Sequence, residues 1–188
     1  MSHPEAELVR RCLAGDEEAA GLFVERYQSV IFGLCWRMLG HRQDAEDVTQ
    51  EVLVRALRAL AGWKADHSLL PWLMTIASNR CRTWLSRRGG RGGRKVRPSE
   101  LVEDVAAPEP RTQPDMAEEL QLALGKVREE YRLCFILFHV NGMTLEEISK
   151  IVDAPEGTVK TWLFRVRREL AGHLRRRGIG LGVSNELQ

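Results

Sequence analysis

The chain has 188 residues, of which 44% are apolar and 29% are charged, and its formal net charge is +2. This composition is ordinary for a soluble globular protein of one or two domains. The N-terminus has no apolar signal core, and the apolar runs at 30–32 and 134–138 are far too short to span a bilayer. These features show no sign of secretion or membrane insertion, so we expect a cytoplasmic protein.

The small net charge hides a strong segregation of charged residues along the chain. Residues 80–97 contain eight basic residues and no acidic one, whereas residues 100–119 contain seven acidic residues and a single arginine. A further acidic cluster occupies residues 44–51. Separate patches of opposite sign indicate separate partners, one a polyanion and the other basic.

Apolar residues recur at helical spacing nearly throughout, so we predict an all-α fold of two small helical domains. Residues 1–88 are predicted to form an N-terminal helical bundle, with Asp16 as the N-cap of its second helix. Its four helices are expected near residues 4–14, 16–40, 43–61 and 70–88. The buried positions expected in the second are Phe23, Tyr27, Val30, Leu34 and Met38.

The second half of the chain begins with a segment rich in Gly, Pro and Glu. We predict that residues 89–115 form a flexible linker, with the preceding helix broken by the glycine-rich segment at 89–93. Residues 116–177 are predicted to form a C-terminal helix-turn-helix bundle, and residues 178–188 a frayed tail. Its first part is either one long helix or two shorter ones interrupted near Gly125.

The third predicted helix carries an acidic stripe formed by Asp44, Asp47 and Glu51, with Gln50 beside them. Like charges at positions i and i+4 destabilise an isolated helix, so Asp47 and Glu51 repel each other unless a cation lies alongside. Arg55, four residues after Glu51, gives partial relief within the helix. We favour the alternative, in which this stripe binds a basic helix of a partner protein.

The fourth predicted helix and the loop before it carry groups that suit single-stranded nucleic acid. Basic side chains interleaved with aromatic ones allow phosphates to be held while unpaired bases stack. Trp72 is expected in the core, whereas Trp63 lies on the loop. The candidate strand-binding residues, several on one outward stripe of the helix, are Trp63, Lys64, Ser78, Asn79, Arg80 and Arg82.

Residues 144–175 have the pattern of a helix-turn-helix. Thr144 and Glu147 form a capping box ahead of a short amphipathic helix, and Pro155 suits the first turn of the next helix. One face of that second helix is apolar, at Val159, Leu163, Val166 and Leu170. The opposite face is basic and is expected to enter the major groove of duplex DNA. Its candidate contacts are Lys160, Thr161, Phe164, Arg165 and Arg168.

No catalytic or metal-binding constellation is evident in the sequence. The five histidines stand apart from any nucleophile, phosphate loop or metal-ligand spacing, so we expect no enzyme activity, no cofactor and no metal site. The four cysteines are dispersed and are expected to be reduced and mostly buried. Cys81 lies between two arginines, and the sequence leaves open whether it has a redox role.

Three segments together resemble a known family: DAEDVTQE at 44–51, PWLMTIASN at 71–79 and GTVKTWLFR at 157–165. In order and spacing they resemble bacterial RNA polymerase sigma factors of the extracytoplasmic-function group, part of the sigma-70 family. The resemblance implies that the acidic stripe docks on the β′ clamp coiled coil of core polymerase and that the β flap is a second contact. It implies that the N-terminal domain recognises and melts the promoter −10 element while the C-terminal helix reads the −35 element. It also implies an anti-sigma factor as a partner.

A second hypothesis is a stand-alone helix-turn-helix transcriptional regulator of the response-regulator output type. Its helix-turn-helix would have the same pattern, but a plain repressor requires neither the acidic stripe nor the strand-binding surface. A response regulator would also need a receiver domain with a phosphorylatable Asp after a strand, and the sequence has no evident strand.

Overall fold

The computed structural model describes residues 4–65, 67–90 and 116–178, and every regular element within these ranges is helical. The predicted all-α fold is therefore confirmed. In chain order the helices are α1 Pro4–Leu13, α2 Glu17–Leu39, α3 Arg42–Ala59, α4 Leu69–Gly90, α5 Met116–Leu124, α6 Glu129–Phe135, α7 Leu145–Val152 and α8 Glu156–Arg176. None of the described helices is long and apolar enough to cross a membrane.

Two shorter elements extend these helices. A 3-10 turn, Leu60–Gly62, continues α3, and a π-helical turn, Ile136–Val140, continues α6. Helix α4 runs to Gly90, two residues beyond the predicted end near Arg88. The predicted linker from residue 91 and the tail from residue 179 lie outside the described residues.

Helices α1–α4 form a first unit, residues 4–90, around one apolar core. Helix α2 begins at the predicted cap, where the Asp16 carboxylate accepts a hydrogen bond from Ala19 N at 3.1 Å. It ends at Gly40, whose φ of 75° is the left-handed conformation that glycine adopts at helix ends. Val30 was expected in the core but is only half-buried, and Ile31 is fully buried. The fully buried side chains of this core include Phe23, Ile31, Leu34, Met38, Leu69, Leu73 and Met74.

A buried carboxylate fixes the start of α4. Glu5, only 6% exposed, accepts hydrogen bonds from the Tyr27 hydroxyl and from Leu69 N, both at 3.0 Å. Because the first N–H groups of a helix lack partners within it, a carboxylate there both satisfies a donor and stabilises the positive end of the helix. Glu5 thus links α1, α2 and the end of the loop before α4.

Helices α5–α8 form a second unit, residues 116–178, with its own small core. The chain breaks between α5 and α6 at Gly125–Arg128, which confirms the interrupted alternative for this segment. Arg177 at the end of α8 makes a two-pronged ion pair with Glu119, a carboxylate only 7% exposed. The residues of this core are Ala123, Leu124, Val127, Tyr131, Val166, Leu170 and Leu174.

The two units pack against each other, an arrangement that the sequence did not predict. Apolar residues of α6, α7 and the first half of α8 join the core of the first unit in one continuous cluster. The carbonyl groups at the end of α2 accept hydrogen bonds from the second unit: Gln121 donates to Trp36 O at 3.0 Å and Arg132 donates to Met38 O at 2.7 Å. The bond from Arg132 satisfies a carbonyl that a helix end leaves unpaired, whereas Trp36 O also accepts from Gly40 N at 2.9 Å.

Helices α7 and α8 form the predicted helix-turn-helix. Glu147 N donates to the Thr144 hydroxyl at 3.2 Å and Thr144 N donates to the Glu147 carboxylate at 2.8 Å, so the capping box is confirmed. The turn contains Asp153 in the left-handed conformation, with φ 54° and ψ 51°. Pro155 occupies the N-cap of α8 rather than its first helical position, because its ψ of 146° is extended.

Removing the capping hydroxyl with Thr144→Ala is expected to lower the free energy of unfolding by about 1 kcal/mol, since Glu147 N loses its partner. Urea unfolding followed by circular dichroism measures this change. Thr83→Ala is the matched control, because that exposed hydroxyl only donates to Asn79 O within α4 and alanine is the better helix former. Equal stability of both variants would show that the capping box contributes nothing.

Candidate nucleic-acid and partner interfaces

Helix α3 presents the acidic stripe on one wall of a surface groove of about 960 Å³. Asp47, Gln50 and Glu51 are exposed as predicted, whereas Asp44 is half-buried. The inner face of α3 is held in the core by residues such as Val48 and Val52, so the stripe has a fixed orientation. We call this the docking groove; its lining residues are Asp47, Gln50, Glu51, Val54, Arg55, Arg58, Ala59 and Arg80.

Arginines of α4 neutralise part of the stripe. Arg80 forms a close ion pair with Glu51, and this hydrogen-bonded contact holds the pKa of the Glu51 carboxyl below its usual value. Arg88 Nη1 lies 2.6 Å from the Asp44 carboxylate, which also lies 3.5 Å from His41 Nδ1. Relief of the acidic charge thus comes chiefly from the neighbouring helix, since no ion pair is seen between Glu51 and Arg55 among the described contacts.

The electrostatics of the docking groove are mixed rather than purely acidic. Two carboxylates, Asp47 and Glu51, face three guanidinium groups, Arg55, Arg58 and Arg80. The exposed Val54 adds an apolar side chain to its lining. A partner that fits this groove therefore needs cations placed against the two carboxylates and an apolar contact with Val54, because a simple basic surface would also meet the arginines.

The loop before α4 lines a second cleft, of about 340 Å³. The Trp63 indole is half-buried against the core, and Lys64, His67 and Ser68 are exposed. Residues of α4 form the floor, and Glu147, Lys150 and Ile151 of α7 form the opposite wall. We call this the loop cleft; its first-unit residues are Gly62, Trp63, Lys64, His67, Ser68, Pro71, Trp72 and Thr75.

The structure does not bring all six predicted strand-binding residues together. Trp63 and Lys64 lie in the loop cleft, and Asn79 is exposed farther along α4. The expected outward position of Ser78 is wrong: its side chain is fully buried, because it lies next to Ala77 on the face of α4 that packs in the core. The other two residues form ion pairs. Arg80 pairs with Glu51 in the docking groove, and Arg82 pairs with Glu129 of the second unit, with 3.9 Å between its Nε and the carboxylate.

Helix α8 carries the third surface, and here the sequence pattern and the structure agree. Val159, Leu163, Val166 and Leu170 are buried at 4% exposure or less. The five predicted DNA contacts are all exposed on the opposite side. We call these the recognition face: Lys160, Thr161, Phe164, Arg165 and Arg168. Phe164 is 59% exposed, and the Arg168 guanidinium lies 5.7 Å from its ring centroid.

Two arginines of α8 are anchored to the helix beneath. Arg165 Nη1 donates to the Tyr131 hydroxyl at 2.9 Å, and Arg167 Nε donates to His139 Nε2 at 3.3 Å. Burial, with Arg167 nearby, lowers the pKa of His139, which favours the neutral ring that can accept this bond. Sequence reasoning missed Tyr131 because its spacing from Arg165 follows no helical period; only the tertiary fold brings them together.

Within the described part of the chain, no group of three or more His, Cys, Asp or Glu side chains could hold a metal ion. Cys35 and Cys81 lie buried with their sulfur atoms 3.7 Å apart, and Cys134 is buried as well, as the sequence predicted. Burial raises the pKa of Cys134 to about 12, so its thiol stays protonated.

Comparison with known families matches both units. The family model for Sigma-70 region 2 matches residues 23–91, and the model for Sigma-70, region 4 matches residues 117–170. The first match contains the docking groove and the first-unit residues of the loop cleft, and the second contains the helix-turn-helix up to Leu170.

Characterised relatives align over nearly their whole length. The chain is 31% identical to the RNA polymerase sigma-H factor of Pseudomonas aeruginosa over 176 residues, covering 88% of this chain and 91% of that protein. It is 31% identical to the ECF RNA polymerase sigma-E factor of Escherichia coli K12, covering 87% and 90%. With the ECF RNA polymerase sigma factor SigW of Bacillus subtilis the identity is 29%, covering 89% and 95%.

Solved structures share the fold. The sigma factor RpoE of Bartonella quintana, crystallised with the anti-sigma factor NepR, superposes with a TM-score of 0.66 at 19% identity, covering 82% of this chain and 96% of that one. CnrH in complex with the cytosolic domain of CnrY gives a TM-score of 0.63 at 24% identity, covering 90% and 96%. Both family-model matches and the full-length relatives lead to one conclusion: the chain belongs to the sigma-70 family of RNA polymerase sigma factors, as a member of its ECF group.

Proposed function

We propose that the chain directs core RNA polymerase to a set of promoters, reading the −35 element with α8 and capturing the −10 strand with the first unit. The observation that carries this proposal is the recognition face. A largely exposed phenylalanine among basic and polar side chains on the second helix of a helix-turn-helix is typical of a major-groove surface.

The side chains of this face suit different features of a base pair. Arg165 and Lys160 present donors that match guanine O6 and N7 or a phosphate, and Phe164 can contact a thymine methyl group. The Thr161 hydroxyl donates to Gly157 O at 2.9 Å, so its methyl group and the oxygen lone pairs remain for the DNA. We therefore assign Lys160, Thr161, Phe164, Arg165 and Arg168 to the −35 element.

Replacing Arg165 by Ala is expected to cost about 1–3 kcal/mol in −35 binding and to relax the preference at one base pair, if its guanidinium makes a two-pronged base contact. Selection by the reconstituted holoenzyme from duplexes randomised over the −35 element gives the preferred sequence. Competition with single-base variants of that sequence then measures the preference.

Arg175→Ala is the control for this experiment, because Arg175 is exposed near the end of α8 and lies outside the recognition face. If Arg165→Ala weakens binding to every sequence equally and reduces the salt dependence, Arg165 contacts only phosphate. If neither affinity nor preference changes, the assignment of α8 to the −35 element is wrong.

For the first unit we propose two tasks. The loop cleft, with Trp63 and Lys64, receives an unpaired base of the −10 element, and the exposed Asn79 lies along the path of the same strand. The docking groove, through Asp47, Gln50 and Glu51 and with the neighbouring Asp44, binds the β′ clamp coiled coil. The family resemblance supports this assignment, and so does the exposure of carboxylates beside an apolar patch.

Other partners follow from the same proposal. The second unit would contact the β flap when the holoenzyme spans both promoter elements. Because the sigma factor RpoE of Bartonella quintana was solved in complex with the anti-sigma factor NepR, we also propose an anti-sigma factor for this chain. As a polymerase subunit it would act in the cytoplasm, and the proposal assigns it no catalytic step and no cofactor. The stand-alone regulator is not favoured, because a Sigma-70 region 2 match covers residues 23–91.

A further inference from the structure

A buried tyrosine lies directly beneath the recognition face. Tyr131 of α6 is only 5% exposed and belongs to the core of the second unit. Its hydroxyl group accepts a hydrogen bond from Arg165 Nη1 at 2.9 Å, although the two residues are 34 positions apart. The contact joins the edge of the core to a side chain that is exposed towards the proposed DNA site.

We propose that Tyr131 is a positioning residue: it holds the Arg165 guanidinium in the orientation that reads a base pair, and so sharpens sequence preference without touching DNA. This inference rests on the proposed −35 contact of Arg165. It assigns the base preference at one promoter position to a pair of residues, one at the surface and one in the core.

The hydrogen-bonding geometry of arginine makes this arrangement productive. A guanidinium group has five N–H donors in a rigid planar fork. The bond to Tyr131 uses one donor of Nη1, so the edge formed by Nε and Nη2 stays available. That edge carries two parallel donors, and guanine presents two matching acceptors at O6 and N7. Tyr131 therefore fixes the plane of the guanidinium group and leaves the donors of Nε and Nη2 available to a base.

The tyrosine is itself held in place by its neighbours. The centroid of the Tyr131 ring lies 6.0 Å from that of Trp162 on α8. Arg128, on the loop before α6, places its guanidinium 5.3 Å from the centroid of the same tyrosine ring. An unrestrained arginine loses much rotamer freedom when it binds DNA. Because Tyr131 is fixed, part of that ordering already exists in the free protein, and pre-ordering improves both affinity and discrimination.

Tyr131→Phe tests the inference, since it removes the hydroxyl group and keeps the ring in the core. The readout is the ratio of holoenzyme affinities for the preferred −35 duplex and for the duplex with the base pair to which Arg165→Ala is sensitive. We expect this ratio to fall about threefold to tenfold, which corresponds to the net contribution of one ordinary hydrogen bond. The salt dependence should stay unchanged, because no phosphate contact is removed.

Three matched variants separate positioning from packing. Tyr27→Phe removes the hydroxyl of the other tyrosine, in the first unit, and should leave the ratio unchanged. Arg128→Ala removes a contact of the Tyr131 ring but not its hydroxyl, and should preserve most of the discrimination. In an Arg165→Ala background, Tyr131→Phe should have no further effect on the ratio, as two residues acting through one contact are not additive.

Several results would overturn the inference. In one such result, Tyr131→Phe discriminates between the two duplexes as wild type does, while Arg165→Ala loses that discrimination. The −35 contact of Arg165 would then stand, and Tyr131 would be only a packing residue. Another is an equal loss of affinity for all sequences together with a lower melting temperature. If Arg165→Ala itself leaves the preference intact, the proposed base contact fails first and the role of Tyr131 fails with it.

Discussion

Reversing the charge of Asp47 and Glu51 together, by Asp47→Lys and Glu51→Lys, is expected to weaken binding to core polymerase about 100-fold or more. Attraction at two fixed positions becomes repulsion, and like charges opposed across an interface cost several kcal/mol. Added lysines would also raise the positive charge of a groove that already contains Arg55, Arg58 and Arg80. Competition of the unlabelled variant with labelled wild-type protein for core polymerase measures the loss.

Glu46→Lys provides the matched control on the same helix. Glu46 is exposed, carries the same charge and pairs with Arg42 at 2.8 Å, but it lies outside the docking groove. Its replacement should leave core binding within about twofold of wild type, since an exposed pair contributes little. Equal affinities for the double variant and for wild type would show that core polymerase binds elsewhere.

The two reversed residues differ in their effect on the isolated protein. Asp47 is exposed, and its replacement should hardly change stability. Glu51 pairs with Arg80, whose side chain is only 12% exposed, so Glu51→Lys leaves a largely buried guanidinium beside a new cation. Asp47→Lys alone is therefore the cleaner probe of docking, and thermal unfolding of each single variant should reveal the difference.

Where local pattern decides the structure, the sequence predicted it well. Residues such as Val159 and Leu163 define the buried side of α8 by helical spacing alone, and the opposite face follows from geometry. The capping box at Thr144 and the helix end at Gly40 are equally local, because each depends on groups within a few residues. The helices, the helix-turn-helix and the recognition face could therefore be predicted from sequence.

Contacts between distant segments could not be predicted in this way. Glu51 meets Arg80, Tyr131 meets Arg165, and Arg132 reaches the end of α2, and each contact depends on how whole helices pack. Ser78 shows the same limit: its polar side chain suggested a surface position, but the rotation of α4 against its neighbours placed it in the core. Charge and polarity identify candidate residues, whereas tertiary packing decides which of them share a site.

A second large effect is expected at the loop cleft. Replacing Lys64, Ala65 and His67 by glycine or serine should leave promoter duplex binding through α8 nearly intact but lower promoter opening about tenfold or more. Trp63 is kept in this variant because its indole packs on the core. No nucleotide-hydrolysis motif drives opening, so capture of unpaired bases must offset an unstacking cost of a few kcal/mol. Permanganate reactivity of promoter thymines measures the opening.

Lys126→Gly is the matched control, because Lys126 is an exposed lysine on the α5–α6 connection, outside the loop cleft. It should open the promoter as wild type does. A template with a pre-melted −10 bubble should restore the loop variant only in part, because the variant also lacks contacts that hold the captured strand. If the pre-melted template restores the loop variant fully, the loop acts in melting alone. If the loop variant opens duplex DNA as wild type does, the loop is only a connector.

The position of α7 adds a requirement for the wild-type protein. Glu147, Lys150 and Ile151 form one wall of the loop cleft, and the Glu147 carboxylate would lie close to an incoming phosphate backbone. We therefore expect a strand to occupy the cleft fully only after the second unit has moved away from the first. Glu147→Gln should ease strand entry in the free protein, whereas in the holoenzyme at a promoter, with α8 already on the −35 element, it should change opening little. A strong effect of this substitution on opening by the holoenzyme would show that α7 still lines the cleft when the strand is captured.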